Sequence, residues 1–302
     1  MPNVFQRIEA RASIVGEDTT IRRALPSSQR RTIGAWCFLD HAGPVHFAAG
    51  KGLHVGPHPH IGLQTFTWMI EGEVMHRDSL GNETVIRPGE VNLMTSGIGI
   101  CHSEDSVEDG KPMHAAQLWI ALPDHARHID PAFEHIADLP RITQGAATVT
   151  VLAGEYQDHQ SRATIHSPLV GLDITASDAE TLQLSLRTDF EYGFLVLKGR
   201  AQVDAETIEP GTLLYLAEGA DNVAVHLTGG SELLVVGGVP FAEKLLVWWN
   251  FVARTQDELE AAVHDWNNDA IRFPEVKGSP AAKLVAPEMT GLKLRARDRH
   301  GN

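Results

Sequence analysis

Two short pairs of potential metal donors stand out in the sequence: His58-Pro59-His60, inside Gly56-Pro57-His58-Pro59-His60-Ile61-Gly62, and His102-Ser103-Glu104, some 40 residues later. In extended backbone residues i and i+2 project to the same face, so each pair is a two-donor arm. Two such arms on neighbouring strands would bring three imidazoles and one carboxylate to one point. That donor set suits Fe(II), and also Mn, Co, Ni, Cu or Zn, and leaves coordination positions open for substrate and dioxygen. Iron is the first choice, because three neutral imidazoles and a single carboxylate leave a redox-capable dication with modest charge. Glu104 has a second possible job, as a general base taking a proton from a substrate hydroxyl. Cys101, next to His102 in an extended run, should point to the opposite side and reads as a core thiol. Histidine is dense here, with 11 of the chain's 16 between His41 and His135. Among these, His54, His76 and His114 are candidates for hydrogen-bond partners behind the ligands, or ordinary polar residues on strands.

The elements that must position these residues are short β-like runs: Ile33 to Leu39, Leu63 to Ile70, Glu73 to Asp78, Thr84 to Ile86, Val91 to Met94 and Ala115 to Leu122. Turn-forming residues separate them at Ser79-Leu80-Gly81-Asn82 and Arg87-Pro88-Gly89-Glu90, which predicts an antiparallel barrel or sandwich with hairpin corners there. A His-rich connection, Asp124 to Ile136, is expected to be partly irregular. Runs then resume at Ala147 to Leu152, Leu182 to Leu186, Gly193 to Leu197, Ala201 to Asp204, Leu213 to Leu216 and Glu232 to Gly237. The chain repeats itself. Aligning Glu71-Gly72-Glu73 with Lys198-Gly199-Arg200 brings Pro88-Gly89 near Pro210-Gly211, and the second copy is shorter by five residues, 12 between its glycines against 17. The reading is all-β, a duplicated barrel with its boundary near residue 137. Thr255-Gln256-Asp257-Glu258 is a capping box, and Leu259, Ala262, Val263 and Trp266 follow at helical spacing, predicting one short helix over 256–267. The run Lys244 to Val252 is expected to be a strand or a bridge between the barrels, and the polar tail from Lys277 to be loosely packed.

Composition narrows the function classes. The 302 residues allow two domains of about 130 residues, and 43% hydrophobic with 21% charged residues is an ordinary folded composition. A net charge of −14 offers no surplus for neutralising nucleic-acid phosphates or an anionic membrane surface. Two cysteines, Cys37 and Cys101, read as buried reduced thiols. With no apolar signal segment at the N-terminus and no long apolar run, a cytoplasmic protein is expected.

The sequence closely resembles the pirin family of two-cupin proteins. The matching series runs from Phe38-Leu39-Asp40-His41 with Gly43-Pro44 through His58-Pro59-His60, Glu71-Gly72-Glu73 and His76-Arg77-Asp78-Ser79-Leu80-Gly81-Asn82. It continues through Pro88-Gly89, Met94-Thr95-Ser96-Gly97 and His102-Ser103-Glu104 to Gln117-Leu118-Trp119 and Leu122-Pro123, covering residues 33–123 densely. The resemblance implies a bicupin: an N-terminal cupin (1–136) whose metal, usually iron, is held by His58, His60, His102 and Glu104, and a C-terminal cupin (137–302) without metal, carrying the helix and tail. The residues of the second copy agree, since Glu191-Tyr192-Gly193-Phe194 and Asp221-Asn222-Val223 offer no ligand set.

Pirin relatives include quercetin 2,3-dioxygenases and redox-sensitive transcriptional cofactors. The resemblance therefore implies a small flavonol-like aromatic substrate and dioxygen, with Glu104 assisting deprotonation and the heterocycle cleaved with release of carbon monoxide. The alternatives are an iron-containing, redox-responsive regulator that binds a protein partner, and a metal-dependent cupin of another class, an isomerase or non-oxidative lyase. Ile61, Leu63 and Gln64 stand where family members often carry Arg, Phe and Glu, and Leu93 replaces a frequent Trp. Gln64 also occupies the position where other cupins place a glutamate ligand, which leaves Glu104 as the carboxylate.

Overall fold

The computed structural model describes residues 3–15 and 19–301, and it is a bicupin built almost wholly from strands. In the first barrel a seven-stranded sheet runs in the order Ala132–Ile136, Val91–Thr95, Leu63–Glu71, Pro112–Ala121, Trp36–His46, Thr19–Leu25, Arg11–Val15. It faces a four-stranded sheet in the order His54–His60, Ile100–Ser106, Val74–Asp78, Glu83–Ile86. The second barrel repeats both. Its seven-stranded sheet runs Phe5–Glu9, Thr212–Leu216, Glu191–Lys198, Ser231–Gly238, Leu169–Ala176, Ala147–Ala153, Arg141–Gln144, against Glu180–Ser185, Asn222–Leu227, Ala201–Val203, Glu206–Ile208. The chain's first strand thus pairs antiparallel with Thr212–Leu216 of the second sheet, although it precedes the whole first barrel in sequence.

The hairpins follow the sequence closely. Gly72 and Gly199 both adopt positive φ (87° and 73°), as do Gly89 and Gly211 (85° and 108°), the backbone region that glycine enters without steric cost. The strand Leu63–Glu71 is buried at nearly every position, and not alternately, because both faces of its sheet are covered. One face lines the barrel interior. The other packs on the second barrel through Leu39, Phe66, Trp68, Leu118 and Ile120 against Leu195, Leu197, Leu213, Leu234 and Val236. Trp36 lies in this joint, edge-on to Phe66 with centroids 5.5 Å apart, and its indole N–H donates to the carbonyl of Gly237 at 3.2 Å. Glu191 ties the barrels further: its buried carboxylate accepts from the Gly34 N–H (2.7 Å), the Tyr215 hydroxyl (2.9 Å) and Arg299 (3.3 Å).

The helix spans Gln256–Asn267 with the expected reciprocal capping box between Thr255 and Glu258, and buries Leu259, Ala262, Val263 and Trp266. One further expectation, the loose tail, is corrected, and two others are met in one of their forms. The run 244–252 takes the strand alternative and not the bridge: Leu246–Trp248 and Phe251–Ala253 form a hairpin on the first barrel, with Phe251 bridged to Ile61. The tail is not loose: Leu284 N–H bonds the Pro57 carbonyl at 2.9 Å, the Trp266 indole N–H bonds the Leu284 carbonyl at 2.7 Å, and Ala286 and Met289 are buried with the helix. Its side-chain hooks have no periodicity to read in advance. The His-rich connection is partly irregular as expected, ending in a regular strand, Ala132–Ile136, at the edge of the first sheet.

Candidate metal centre

His58 and His60 sit near the end of the strand His54–His60, and His102 lies directly opposite His58 on the antiparallel neighbour Ile100–Ser106. Directly opposed residues share a face, so all three imidazoles enter the barrel. One ring nitrogen from each falls within 4.8 Å of the others, and Nε2 of His60 stands 3.1 Å from Nε2 of His102. All three side chains are buried.

The hydrogen bonds on the far side of each ring fix the tautomers. Nδ1 of His58 faces the carbonyl of Gly56 at 2.9 Å, and Nδ1 of His60 faces the carbonyl of Asn250 at 3.0 Å. A carbonyl only accepts, so both Nδ1 atoms carry the proton and both Nε2 atoms present lone pairs. His102 is set by a longer chain. The Asp78 carboxylate lies 3.2 Å from Nε2 of His76, which therefore donates, and Nδ1 of His76 is 3.4 Å from Nδ1 of His102. With its Nε2 proton directed at Asp78, His76 offers Nδ1 as the acceptor for His102, an arrangement that leaves Nε2 of His102 as the third lone pair. Burial keeps the rings neutral: it pulls His58 down to about 4 and His60 and His102 well below the ordinary histidine value, with neighbouring imidazoles adding to the shift. Three converging lone pairs, two of them 3.1 Å apart, repel one another until a cation lies among them. These residues fit a divalent transition metal.

Glu104 lines the same cavity but stands outside the 4.8 Å set. It follows an irregularity in strand register between His102 and Glu104. Burial raises its pKa, Asp105 adds to this and His76 opposes it. Such a carboxylate is a stronger base than an exposed one. Cys101 faces away, its thiol against the carbonyl of Pro274 at 2.9 Å and pushed up to about 11 by burial. Of the three histidines considered as supports, only His76 reaches the centre. His54 lies between Asp105 and Asp109, and His114 pairs with His41, Nε2 to Nε2 at 2.8 Å. Gln64 is turned away to Thr95 and to the carbonyl of Thr164.

The imidazoles open into a cavity of about 620 Å³. One wall is apolar, with Val55, Met69, Val74 and Met113, and the stacked rings of Phe38 and Trp119, 4.0 Å apart, add a flat surface. Val247, Trp249, Asn250 and Leu284 come from the hairpin and tail laid over the barrel. Across the seven-stranded sheet runs a polar row that sequence reading missed: Arg11, Arg23, Asp40, Gln117, Thr67, Asn92 and His135 occupy successive register positions. Arg23 clamps Asp40 with two bonds of 2.7 Å, the Thr67 hydroxyl donates to Gln117 Oε1 at 2.7 Å, and Asn92 pairs with His135 at 2.7 Å. The signal was present as polar residues inside otherwise apolar strands, Thr67 between Phe66 and Trp68, but only pairing shows that they form one row.

Two cupin barrels in tandem, the first with three imidazoles turned into an open interior, define a bicupin with a metal-competent N-terminal barrel. The chain belongs to the pirin family: residues 18–120 match the Pirin model and residues 171–273 the Pirin C-terminal cupin domain. It is 50% identical over 285 residues, 94% of this chain and 90% of the other, to a Pseudomonas aeruginosa protein named "Putative quercetin 2,3-dioxygenase". The crystal structure of a quercetin 2,3-dioxygenase from Acinetobacter baumannii matches with a TM-score of 0.94 at 49% identity, covering 97% of each chain. An Escherichia coli pirin solved with nickel(II) shares the fold, with a TM-score of 0.64 at 20% identity over 78% of this chain and 100% of that one. Among the described residues no helix is long and apolar enough to cross a membrane.

Proposed function

We propose that this protein is a metal-dependent dioxygenase of flavonol-type substrates, with His58, His60, His102 and Glu104 as the metal set and iron as the first choice of metal. The observation that carries this reading is the convergence of three buried imidazoles, two of them with Nε2 left free by carbonyl partners at Nδ1, on a cavity with a flat aromatic wall. The likeness to proteins named quercetin 2,3-dioxygenase supplies the substrate class. When bound, the metal would acidify a coordinated hydroxyl and couple the electron-rich substrate to dioxygen.

The chain's own residues account for the rest. Glu104 takes the proton of the substrate's enolic hydroxyl, and burial, which raises its pKa, makes it a stronger base for that step. Phe38 and Trp119 carry a planar ring, and the Nε2 donors of Gln117, whose Oε1 is already occupied by Thr67, orient a carbonyl or ring hydroxyl. Trp249, Asn250 and Leu284 restrict water at the cavity wall. The outcome is opening of the heterocycle with dioxygen and loss of one ring carbon as carbon monoxide.

The test is elemental analysis of the purified protein followed by oxygen-electrode assays with quercetin on wild type, His102→Ala and Glu104→Gln. One metal per chain, uptake abolished together with metal in His102→Ala, and uptake reduced by roughly 10²–10⁴ in Glu104→Gln with metal largely retained are the expected results. Full metal occupancy in His102→Ala sinks the ligand set. Metal without oxygen uptake in the wild type replaces the dioxygenase by a redox-responsive regulator or a non-oxidative cupin enzyme.

A further inference from the structure

The cavity wall carries more positive charge than its own carboxylates balance. Arg11, Arg23 and Arg31 all line it. Arg23 is committed, doubly bonded to Asp40 and stacked 4.3 Å over the ring of Phe38. Arg31 is half-buried, and among the described residues neither it nor Arg11 has a carboxylate within ion-pair distance. Burial lowers the pKa of Arg31, and the nearby charges of Arg297 and Arg11 push in the same direction. The main chain of Arg31 is held to the tail through its N–H and the carbonyl of Arg299 at 2.8 Å, which keeps the residue at the wall.

Gathering like charges at a half-buried place costs free energy and brings no return in the free protein. It is the more unusual in a chain of net charge −14, whose overall field repels anions. A local positive patch at a cavity reverses that field where a ligand enters. The guanidinium fork matches the geometry of an oxyanion with two parallel N–H groups.

We infer that Arg31 and Arg11 form an anion subsite of this cavity, and that the preferred substrate is an aromatic carrying a fixed anionic group, a carboxylate or sulfonate, on the ring remote from the hydroxyl that reaches the imidazoles. This inference rests on the dioxygenase reading for the orientation of the substrate, but not for the existence of the subsite. Arg23 and Asp40 are paired with each other, so their charges cancel and selectivity for the anion resides in Arg31 first and Arg11 second.

The experiment is an anaerobic titration of the metal-loaded protein with quercetin and with quercetin sulfonated on its pendant ring, read by quenching of the cavity tryptophans Trp119 and Trp249. Wild type, Arg31→Gln, Arg31→Lys and Arg11→Gln are compared, with far-ultraviolet dichroism confirming the fold of each. Arg31→Gln is expected to weaken the sulfonated probe about tenfold and plain quercetin less than about threefold. Arg31→Lys should fall between, and Arg11→Gln should cost the sulfonated probe about threefold, as fits its greater exposure. The advantage of the sulfonated probe should shrink as salt is raised. Equal losses for the two probes, no loss in either Arg31 variant, or no binding of the sulfonated probe to wild type overturns the subsite. Should Arg31→Gln not fold, an unchanged affinity in Arg11→Gln has the same force. Because the titration excludes oxygen, absence of oxygen uptake defeats the dioxygenase reading without touching this result.

Discussion

The two barrels share one plan of sheets and differ in what fills them. On the strands that face the first barrel's large sheet, the opposed pair His58 and His102 enters an open interior. On the corresponding strands of the second barrel the opposed inward pairs are Leu182 with Val225 and Leu184 with Val223, all inside a continuous apolar cluster with Phe190, Phe194 and Val235. Glu191, the acidic residue at the start of the second copy's central strand, is spent on the joint between barrels. A cupin interior is therefore either packed for stability or opened for chemistry, and the same strand order serves both. The second barrel also buttresses the sheet whose other face forms the cavity floor, which gives the first barrel's hollow interior a rigid back.

This division is broken most directly by truncating one side chain in each barrel. Phe194 is fully buried in the packed interior, and Phe194→Ala should destabilise the protein by about 3–5 kcal/mol while leaving metal content unchanged. Met69 is as buried but lines the existing cavity, so Met69→Ala enlarges a space already open and should cost nearer about 2 kcal/mol. Thermal and denaturant melts of the two variants check this. Equal losses would mean that the first barrel's interior is as tightly packed as the second's.

A smaller effect is expected behind the metal ligands, where the first barrel carries a relay from Asp78 through His76 to His102. His76 stacks on Phe133 with centroids 4.4 Å apart, so His76→Phe preserves an aromatic surface while removing the acceptor of the His102 N–H. Metal affinity should fall by about 10–100-fold, measured by competition with a chelator. His76→Gln, whose carbonyl oxygen accepts a hydrogen bond, should lose less. Unchanged affinity in both variants would show that His102 needs no partner to hold its tautomer.

How much of this was legible in the sequence depends on the range of the interaction. The His58-Pro59-His60 arm could be read because i and i+2 share a face, and the helix at 256–267 because its capping box is local. Gly72, Gly89, Gly199 and Gly211 showed the duplication because a tight turn demands their conformation. The full length of the strand His54–His60 was not marked, because Pro57 and Pro59 cannot donate to a ladder. Arg11–Val15 and Thr19–Leu25 lacked any local marker strong enough to be assigned. The carbonyl of Asn250 that orients His60 comes from 190 residues away, and no spacing rule reaches that far. Nor could spacing tell that His76 faces the centre while His114 faces away from it.

The last effect concerns pH, and again separates the barrels. His41 and His114 are buried on the first barrel's strands with Nε2 atoms 2.8 Å apart; burial pulls His41 down to about 3 and His114 to about 4, with Arg22 opposing protonation of both and Lys198 that of His114. Among the described residues, the second barrel's own strand histidines, His159 and His226, are exposed. Above the unfolded-state histidine pKa of about 6.5 both states are neutral and the pair contributes nothing. As pH falls below it the unfolded chain takes up protons that the folded pair refuses, so stability drops by at most about 1.4 kcal/mol per pH unit for each imidazole, over a narrower window and hence with a smaller total for His114. The loss ends as pH passes through the folded values of about 4 and about 3. The buried carboxyls Asp173 and Glu232 have raised pKa values and act with the opposite sign, favouring the folded state as they take up protons. Metal-free wild type and the double variant His41→Gln, His114→Gln should therefore be melted in parallel from pH 7 to about 4.5. The wild type should lose stability more steeply, and parallel slopes would place the acid-sensitive groups outside this pair.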